Sequence, residues 1–240
     1  DNNHYIVTKV RNKTATATLK NKPTISELSN SKIIPTALFV PKKALRPSLS
    51  SKHVSIYHTH NDESYILTSG KSNEAGNGDI VKVGSALQDC LEKASITVTH
   101  SLNDHGPHDI NAYHRSRRTA LALIKESPDI LIDVHRDSAP KNAYYASING
   151  VEVARVMIVV GRSNPNMQTN LEFARRLKVT ADELHPGLMR GIFIGKGDYN
   201  QDLFPNALIF EVGTDLLSLS MAEKGVRCIG DALIKLLQNS

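Results

Sequence analysis

Four side chains able to bind a metal or carry a proton, His58, His60, Asp62 and Glu63, fall within six positions in the stretch SIYHTHNDESY, residues 55–65, directly after a short apolar run. Two imidazoles and one carboxylate suffice for a catalytic zinc shell, with the fourth position left to water. A further carboxylate near that water can take its proton and return it to a leaving group. Two more apolar runs end in ionisable residues. His135, Arg136 and Asp137 follow ILIDV, and Glu211 follows LIF with Gly213 just beyond. A lone histidine at such a place is usually a hydrogen-bonded structural residue. Glu211 inside an apolar run calls for a partner or a nearby cation, since an unpaired buried carboxylate is costly. Three such ends together point to one shared site.

Residues 103–120, NDHGPHDINAYHRSRRTA, add His105, His108, Asp109 and His114. For His105 and His114 the preferred reading is a polar loop entering a helix. Arg115, Arg117 and Arg118 form either a solvated stripe or a clamp for substrate carboxylates. The glycine-rich stretch RGIFIGKGDYNQDLFPNA, before the Glu211 run, reads as a loop, either a cleft lining or, as loops of this composition usually are, only a connection.

The surrounding pattern supplies the scaffold. From Lys52 onward, strand-like and helix-like segments alternate. HVSIYH, ITVTH, DILIDVH, VARVMIVVG and ALIFEVG read as strands. GDIVKVGSALQDCLEKA places Ile80, Val83, Leu87, Cys90 and Leu91 on one helical face. AYHRSRRTALALIKES, NLEFARRLKVTADELH and DLLSLSMAEKGVRCIGDALIKLLQ read as further helices. This order predicts an α/β fold with a mostly parallel central sheet flanked by helices on both faces. In such sheets ligands bind at the carboxyl ends of the strands, where the ionisable groups collect.

Residues 1–50 read differently: a basic, irregular N-terminal arm or linker, broken by prolines, with short strands admitted at TATATL and TALFV. The domain is expected over 51–240. Net charge is +5 in 240 residues, and between Lys9 and Lys52 Glu27 is the one acid. A basic surface suits an anionic partner, but no aromatic interleaving, helix-turn-helix or zinc-finger spacing supports nucleic acid. Two cysteines, Cys90 and Cys228, make no disulfide framework. The apolar runs are far short of the roughly 20 residues that cross a bilayer.

Taken together, YHTHNDESY, AYHRSRRTALALI, DILIDVHRDSAP and RGIFIGKGDYNQDLFPNALIFEVGT resemble the stage II sporulation protein P family, itself similar to the zinc-dependent N-acetylmuramoyl-L-alanine amidases. The resemblance runs from His53 to the C-terminus. It implies an amidase-like fold and hydrolysis of the amide between N-acetylmuramic acid and L-alanine, with endopeptidase action on stem-peptide cross-links, during the engulfment stage of sporulation. It implies Zn²⁺ as cofactor, His60 and His135 as ligands and Glu211 as catalytic residue. The amidases offer a ligand glutamate about a dozen residues after the first histidine, and this chain has none there. Glu63, three residues from His60, is taken as third ligand, with His108, Glu74 and Asp79 in reserve. His58 and Asp62 would support the ligands, and Arg136, Arg117 and His108 would bind substrate. The resemblance further implies peptidoglycan as substrate and a location outside the cytoplasm, with an N-terminal membrane anchor absent from this chain. Partners would be other sporulation proteins, such as a lytic transglycosylase (stage II sporulation protein D), and not nucleic acid. The alternatives are a catalytically idle peptidoglycan-binding scaffold and a zinc peptidase acting on stem peptides alone.

Overall fold

The structure is a computed structural model that describes residues 5–11, 14–19 and 48–239. The chain divides into two units, 1–44 and 45–240. In the first, Tyr5–Arg11 (β1) and Thr14–Leu19 (β2) form an antiparallel pair. β2 is the TATATL strand. β1 replaces part of the irregular arm, because YIVTKVR is rich in the β-branched and aromatic residues that suit a strand. The strand expected at 36–40 lies outside the described residues.

The second unit follows the order β3 (His53–Tyr57), α1 (Ile66–Ser69), α2 (Asp79–Lys93), β4 (Thr97–His100), α3 (Ala112–Ile124), β5 (Ile130–Asp137), α4 (Lys141–Tyr144), β6 (Tyr145–Ile148), β7 (Val151–Ala154), β8 (Val156–Gly161), α5 (Met167–Leu184), β9 (Met189–Gly195), β10 (Ala207–Thr214) and α6 (Leu219–Leu237). Six of the strands make one sheet in the order β4-β3-β5-β10-β8-β9. Its pairings are parallel except β10 with β8. The carboxyl ends of β3, β5 and β10 therefore open on one edge.

Two segments depart from expectation. VARVMIVVG is two strands: β7 pairs with β6 in a hairpin, and β8 joins the main sheet. Arg155 separates them, its N–H bonded to the Tyr144 carbonyl and its own carbonyl accepting from Gly213 N–H. Part of the stretch read as a glycine-rich loop is the edge strand β9, because Ile192, Phe193 and Ile194 pair with Ile158, Val159 and Val160.

Alternation along the strands sorts the side chains. Val54, Ile56, Ile130, Ile132, Val134, Leu208, Phe210 and Val212 join the main core with Leu87 of α2, Leu177 of α5 and Ile229 and Leu233 of α6. Each such buried side chain contributes roughly 1.5–3 kcal/mol. The intervening positions face the other way, where Tyr57, Leu131 and Ala207 make a small cluster with Ala120 and Leu123 of α3. One face thus carries α2, α5 and α6. The opposite face carries α3, which covers part of the sheet.

Candidate active site and metal centre

The face under α3 also holds the polar groups that the sequence pointed to. Along β5, Leu131, Asp133 and His135 share that face, as Ile209 and Glu211 do on β10. His135 and Glu211 are direct register neighbours. The loop after β3 brings His60 and Glu63 to the same edge. Glu63 is 3% exposed. Its Oε1 lies 3.5 Å from His60 Nδ1, and its Oε2 lies 3.7 Å from His135 Nδ1. Arg136 fixes this carboxylate by donating its backbone N–H to Oε2 at 2.8 Å.

His135 is buried between two acids, since its Nε2 lies 2.9 Å from Asp133 Oδ1 without hydrogen-bond alignment. Asp133 is held in turn by the Thr59 N–H at 2.8 Å and the Thr59 hydroxyl at 2.6 Å. Burial alone would lower the His135 pKa, but the Asp133 and Glu63 carboxylates outweigh it and hold the ring well above its ordinary value. Burial would raise Glu63, yet His135, His60 and Arg136 hold its carboxyl far below the usual range. Glu211 behaves in the opposite way. Burial raises it, His135 opposes, and the carboxylates of Glu63, Asp137 and Asp133 bring it to about 8. Its Oε2 is covered and has no hydrogen-bond partner.

Imidazoles around a buried carboxylate are the donor types a small divalent ion takes. Ligands about 2 Å from a tetrahedral zinc lie roughly 3.3 Å apart, close to the two separations around Glu63. A carboxylate behind a ligating imidazole, as Asp133 stands behind His135, is the usual support for such a ligand. His135 stands at this spacing from Glu63 alone, and among the described residues His108 is the one that completes a compact set with His60 and Glu63. The donor atoms of these three all lie within 4.8 Å of one another. The His60 and His108 rings stack with centroids 3.9 Å apart. His108 has a carboxylate behind it too, with Nδ1 3.0 Å from Asp62 Oδ1.

Two clefts adjoin the cluster. The larger, about 750 Å³, is lined by His60, His108, Tyr113, His114, Arg117 and Tyr199 among others. The smaller, about 320 Å³, is lined by Glu211, Arg190, Asp137, Phe193 and their neighbours. Tyr113 and Tyr199 border both.

The family described as stage II sporulation protein P (SpoIIP) matches residues 2–234 of this sequence. The chain belongs to that family. It is 33% identical over 181 residues to stage II sporulation protein P of Bacillus subtilis (strain 168), an alignment covering 68% of this chain and 45% of that protein. The chain thus spans less than half the length of this curated relative. The fold is that of solved amidases at low identity. The N-acetylmuramyl-L-alanine amidase Ami1 of Mycobacterium smegmatis aligns with a TM-score of 0.55 and 13% identity, covering 80% of this chain and 99% of that one. The CwlD amidase of Clostridioides difficile, solved in complex with the GerS lipoprotein, gives 0.55 and 13%, covering 79% and 100%.

In this SpoIIP-family chain, His60, Glu63, His108, His135 and Glu211 come to one edge of the sheet. Of the three reserve ligands, His108 joins the cluster and the two acids do not. Glu74 is exposed and pairs with Lys71 at 3.2 Å. Asp79 is buried at the start of α2, bonded to the Ser69 hydroxyl and to Lys82 Nζ at 2.9 Å. Asp62 does support His108, but His58 lies on the α2 face. Its Nε2 meets His100 Nε2 at 2.8 Å, and a Cβ at Gly84 of α2 would come within 2.6 Å of it.

Of the substrate-binding arginines, Arg136 is 6% exposed, with its guanidinium donating to the Ser64 and Ser72 carbonyls and to Asn73 Oδ1. It clamps the loop that carries Glu63. Arg117 lines the larger cleft and is bidentate to Asp202, at 2.8 and 2.6 Å. His105 is structural, buried between the His58 carbonyl and Thr119. Sequence reading missed Asp133, Tyr113 and Arg190. Asp133 had a signal: two residues before His135 on a strand, it must share its face.

Proposed function

We propose that this chain is a zinc-dependent peptidoglycan hydrolase that cuts the amide between N-acetylmuramic acid and L-alanine during sporulation. The observation that carries the reading is the buried, unpartnered Glu211 Oε2 on the strand next to His135, beside His60 and Glu63. Family membership and the amidase fold support it. His60 and Glu63 would hold the ion with a second histidine: His135, 3.7 Å from Glu63, is the proposed ligand, and His108, which makes the more compact set, is its rival. A bound Zn²⁺ supplies Lewis acidity, acidifying a water molecule and polarising the scissile carbonyl.

The protein's own groups do the rest. Glu63 is kept ionised by its cationic neighbours and by the Arg136 N–H, so it is ready as an anionic ligand. Asp133 holds His135 in place from behind. In its ionised form, which a cation held beside it would favour, Glu211 can take the proton of the attacking water and hand it to the departing amine, which without a proton is a poor leaving group. Tyr113 and Tyr199 line both clefts, and His108 and Arg117 on the wall of the larger cleft would contact substrate. A stem-peptide cross-link is also an amide, so the same groups would open it.

The proposed setting is the cell envelope outside the cytoplasm, where peptidoglycan lies. Among the described residues no helix is long and apolar enough to cross a membrane. Protein partners are proposed as well, by analogy with CwlD, which was solved bound to a lipoprotein. A lytic transglycosylase is the partner whose chemistry would complete wall removal.

Digestion of purified peptidoglycan, with mass spectrometry of the soluble fragments, tests the reading. Fragments with free lactyl-muramic ends, absent after chelation and restored by zinc, are expected. Opened cross-links alone would make the chain a stem-peptide peptidase. No release at all would make it a binding scaffold.

A further inference from the structure

The smaller cleft lies where the sheet is bare. α3 packs over β3 and β5, and beyond it β10, β8 and β9 present Glu211, Ile209, Met157, Val159 and Phe193 to the cleft. Arg190 stands on its wall, and the backbone places it there. Met189 pairs with Val156 but Gly191 pairs with Met157, so Arg190 bulges from the ladder. Gly191 supplies the φ of 150° that the bulge needs. A bulge re-aims its side chain.

Two residues then hold the guanidinium. Asp137 Oδ2 accepts from Arg190 Nη1 at 2.7 Å and from the Tyr144 hydroxyl at 2.8 Å. The Tyr144 ring lies 4.6 Å from the guanidinium carbon. Asp137 Oδ1 accepts from Ser138 N–H at 2.7 Å, so this acid is engaged on both oxygens. The contact with Asp137 uses one of five N–H donors, and the Arg190 side chain remains 32% exposed. Arg136, by contrast, is spent on loop carbonyls, and Arg117 lies on the other cleft.

Resting on the hydrolase reading above, we infer that the smaller cleft receives the amine side of the broken amide, and that Arg190 binds a carboxylate of the released peptide. In hydrolysis the C–N bond breaks, hydroxide goes to the acyl carbon and the proton goes to the amine. The group that delivers the proton must stand beside that amine, and Glu211 lines this cleft. Met157, Val159 and Ile209 give an apolar floor that suits a small side chain such as the alanine methyl. An anchored guanidinium with free donors above that floor suits a carboxylate a short distance along the peptide. The ligand class is therefore a short acidic peptide beginning with a small residue.

The test is calorimetric titration of the intact chain with a dipeptide of L-alanine followed by an acidic residue, and with its carboxamide counterpart. Wild type is expected to bind the free-carboxylate peptide about tenfold or more tightly than the carboxamide. R190Q should abolish that preference, and R190K, which keeps the charge without the planar fork, should retain part of it. Equal binding of the two peptides by wild type, binding of neither, or a preference intact in both variants overturns the assignment. Binding is read without turnover, so a chain that discriminates the peptides but releases nothing from peptidoglycan fails as a hydrolase, not as a carboxylate binder.

Discussion

Phe210 and Glu211 are neighbours on β10, and they belong to different chemistries. Phe210 is fully buried in the core beneath three helices. Glu211 faces the partly uncovered side, with a polar oxygen closed off and unpaired. The difference repeats on each central strand: Val134 against His135 on β5, Ile56 against Tyr57 on β3. Strand alternation lets one sheet carry a continuous apolar core on one face and a cluster of interacting charges on the other. The cost of burying those charges falls on the site face, where burial and like charge raise Glu211 to about 8.

The comparison is broken most severely by paired substitutions. Glu211→Gln is expected to lower peptidoglycan hydrolysis roughly 10²–10⁴-fold, the usual contribution of a positioned acid–base group, with no loss in melting temperature at neutral pH. Phe210→Ala should do the reverse. It removes about 3–5 kcal/mol of stability in denaturant titrations, and activity scales with the folded fraction. Equal stability losses in the two variants would mean that the faces are not functionally divided.

A smaller effect is expected one step back from the ligands. Asp133→Asn should weaken zinc binding about 10–100-fold, as removal of a supporting carboxylate does, without abolishing the site. No change would shift the second histidine ligand from His135 to His108, whose own carboxylate is Asp62.

The pH dependence sharpens the contrast further. A carboxyl whose folded pKa lies above its unfolded value binds its proton more tightly in the native state. Its contribution is present below the unfolded value, about 4.3, and is lost as pH rises toward about 8. Metal-free wild type should therefore lose stability relative to Glu211→Gln between about pH 5 and pH 8, measured by denaturant titration across that range. A flat difference would show that Glu211 is not held protonated.

Much of this was legible in the sequence because strand ends and periodicity are local. HVSIY, ILIDV and ALIF read as strands of a mostly parallel sheet with ionisable groups at their ends, and the structure makes them adjacent and parallel. β9 was hidden because the glycines that permit its bulge also resemble loop composition. The split of VARVMIVVG depends on Arg155, whose backbone bonds to Tyr144 and Gly213 join positions far apart in the chain. His108 reaches the site through Asp62 and Asn73, a contact that no spacing announces. Arg136 was misplaced for a similar reason. It follows His135 on the strand, so it points away from the clefts toward the loop carbonyls it clamps.

The smallest effect belongs to Glu74. Its exposed pair with Lys71 should be worth less than about 1 kcal/mol, and Glu74→Ala should leave zinc content unchanged. A loss of metal there would move the site toward the rim of the loop and away from β5.

The most direct test of the central claim, that the face under α3 is a zinc site built on Glu63, is metal content by mass spectrometry on the purified chain and on His60→Ala, Glu63→Ala and His135→Ala. The account predicts about one zinc per wild-type chain, lost in all three variants while their folds persist by circular dichroism. No zinc in the intact chain after reconstitution, or full retention in Glu63→Ala, would contradict it.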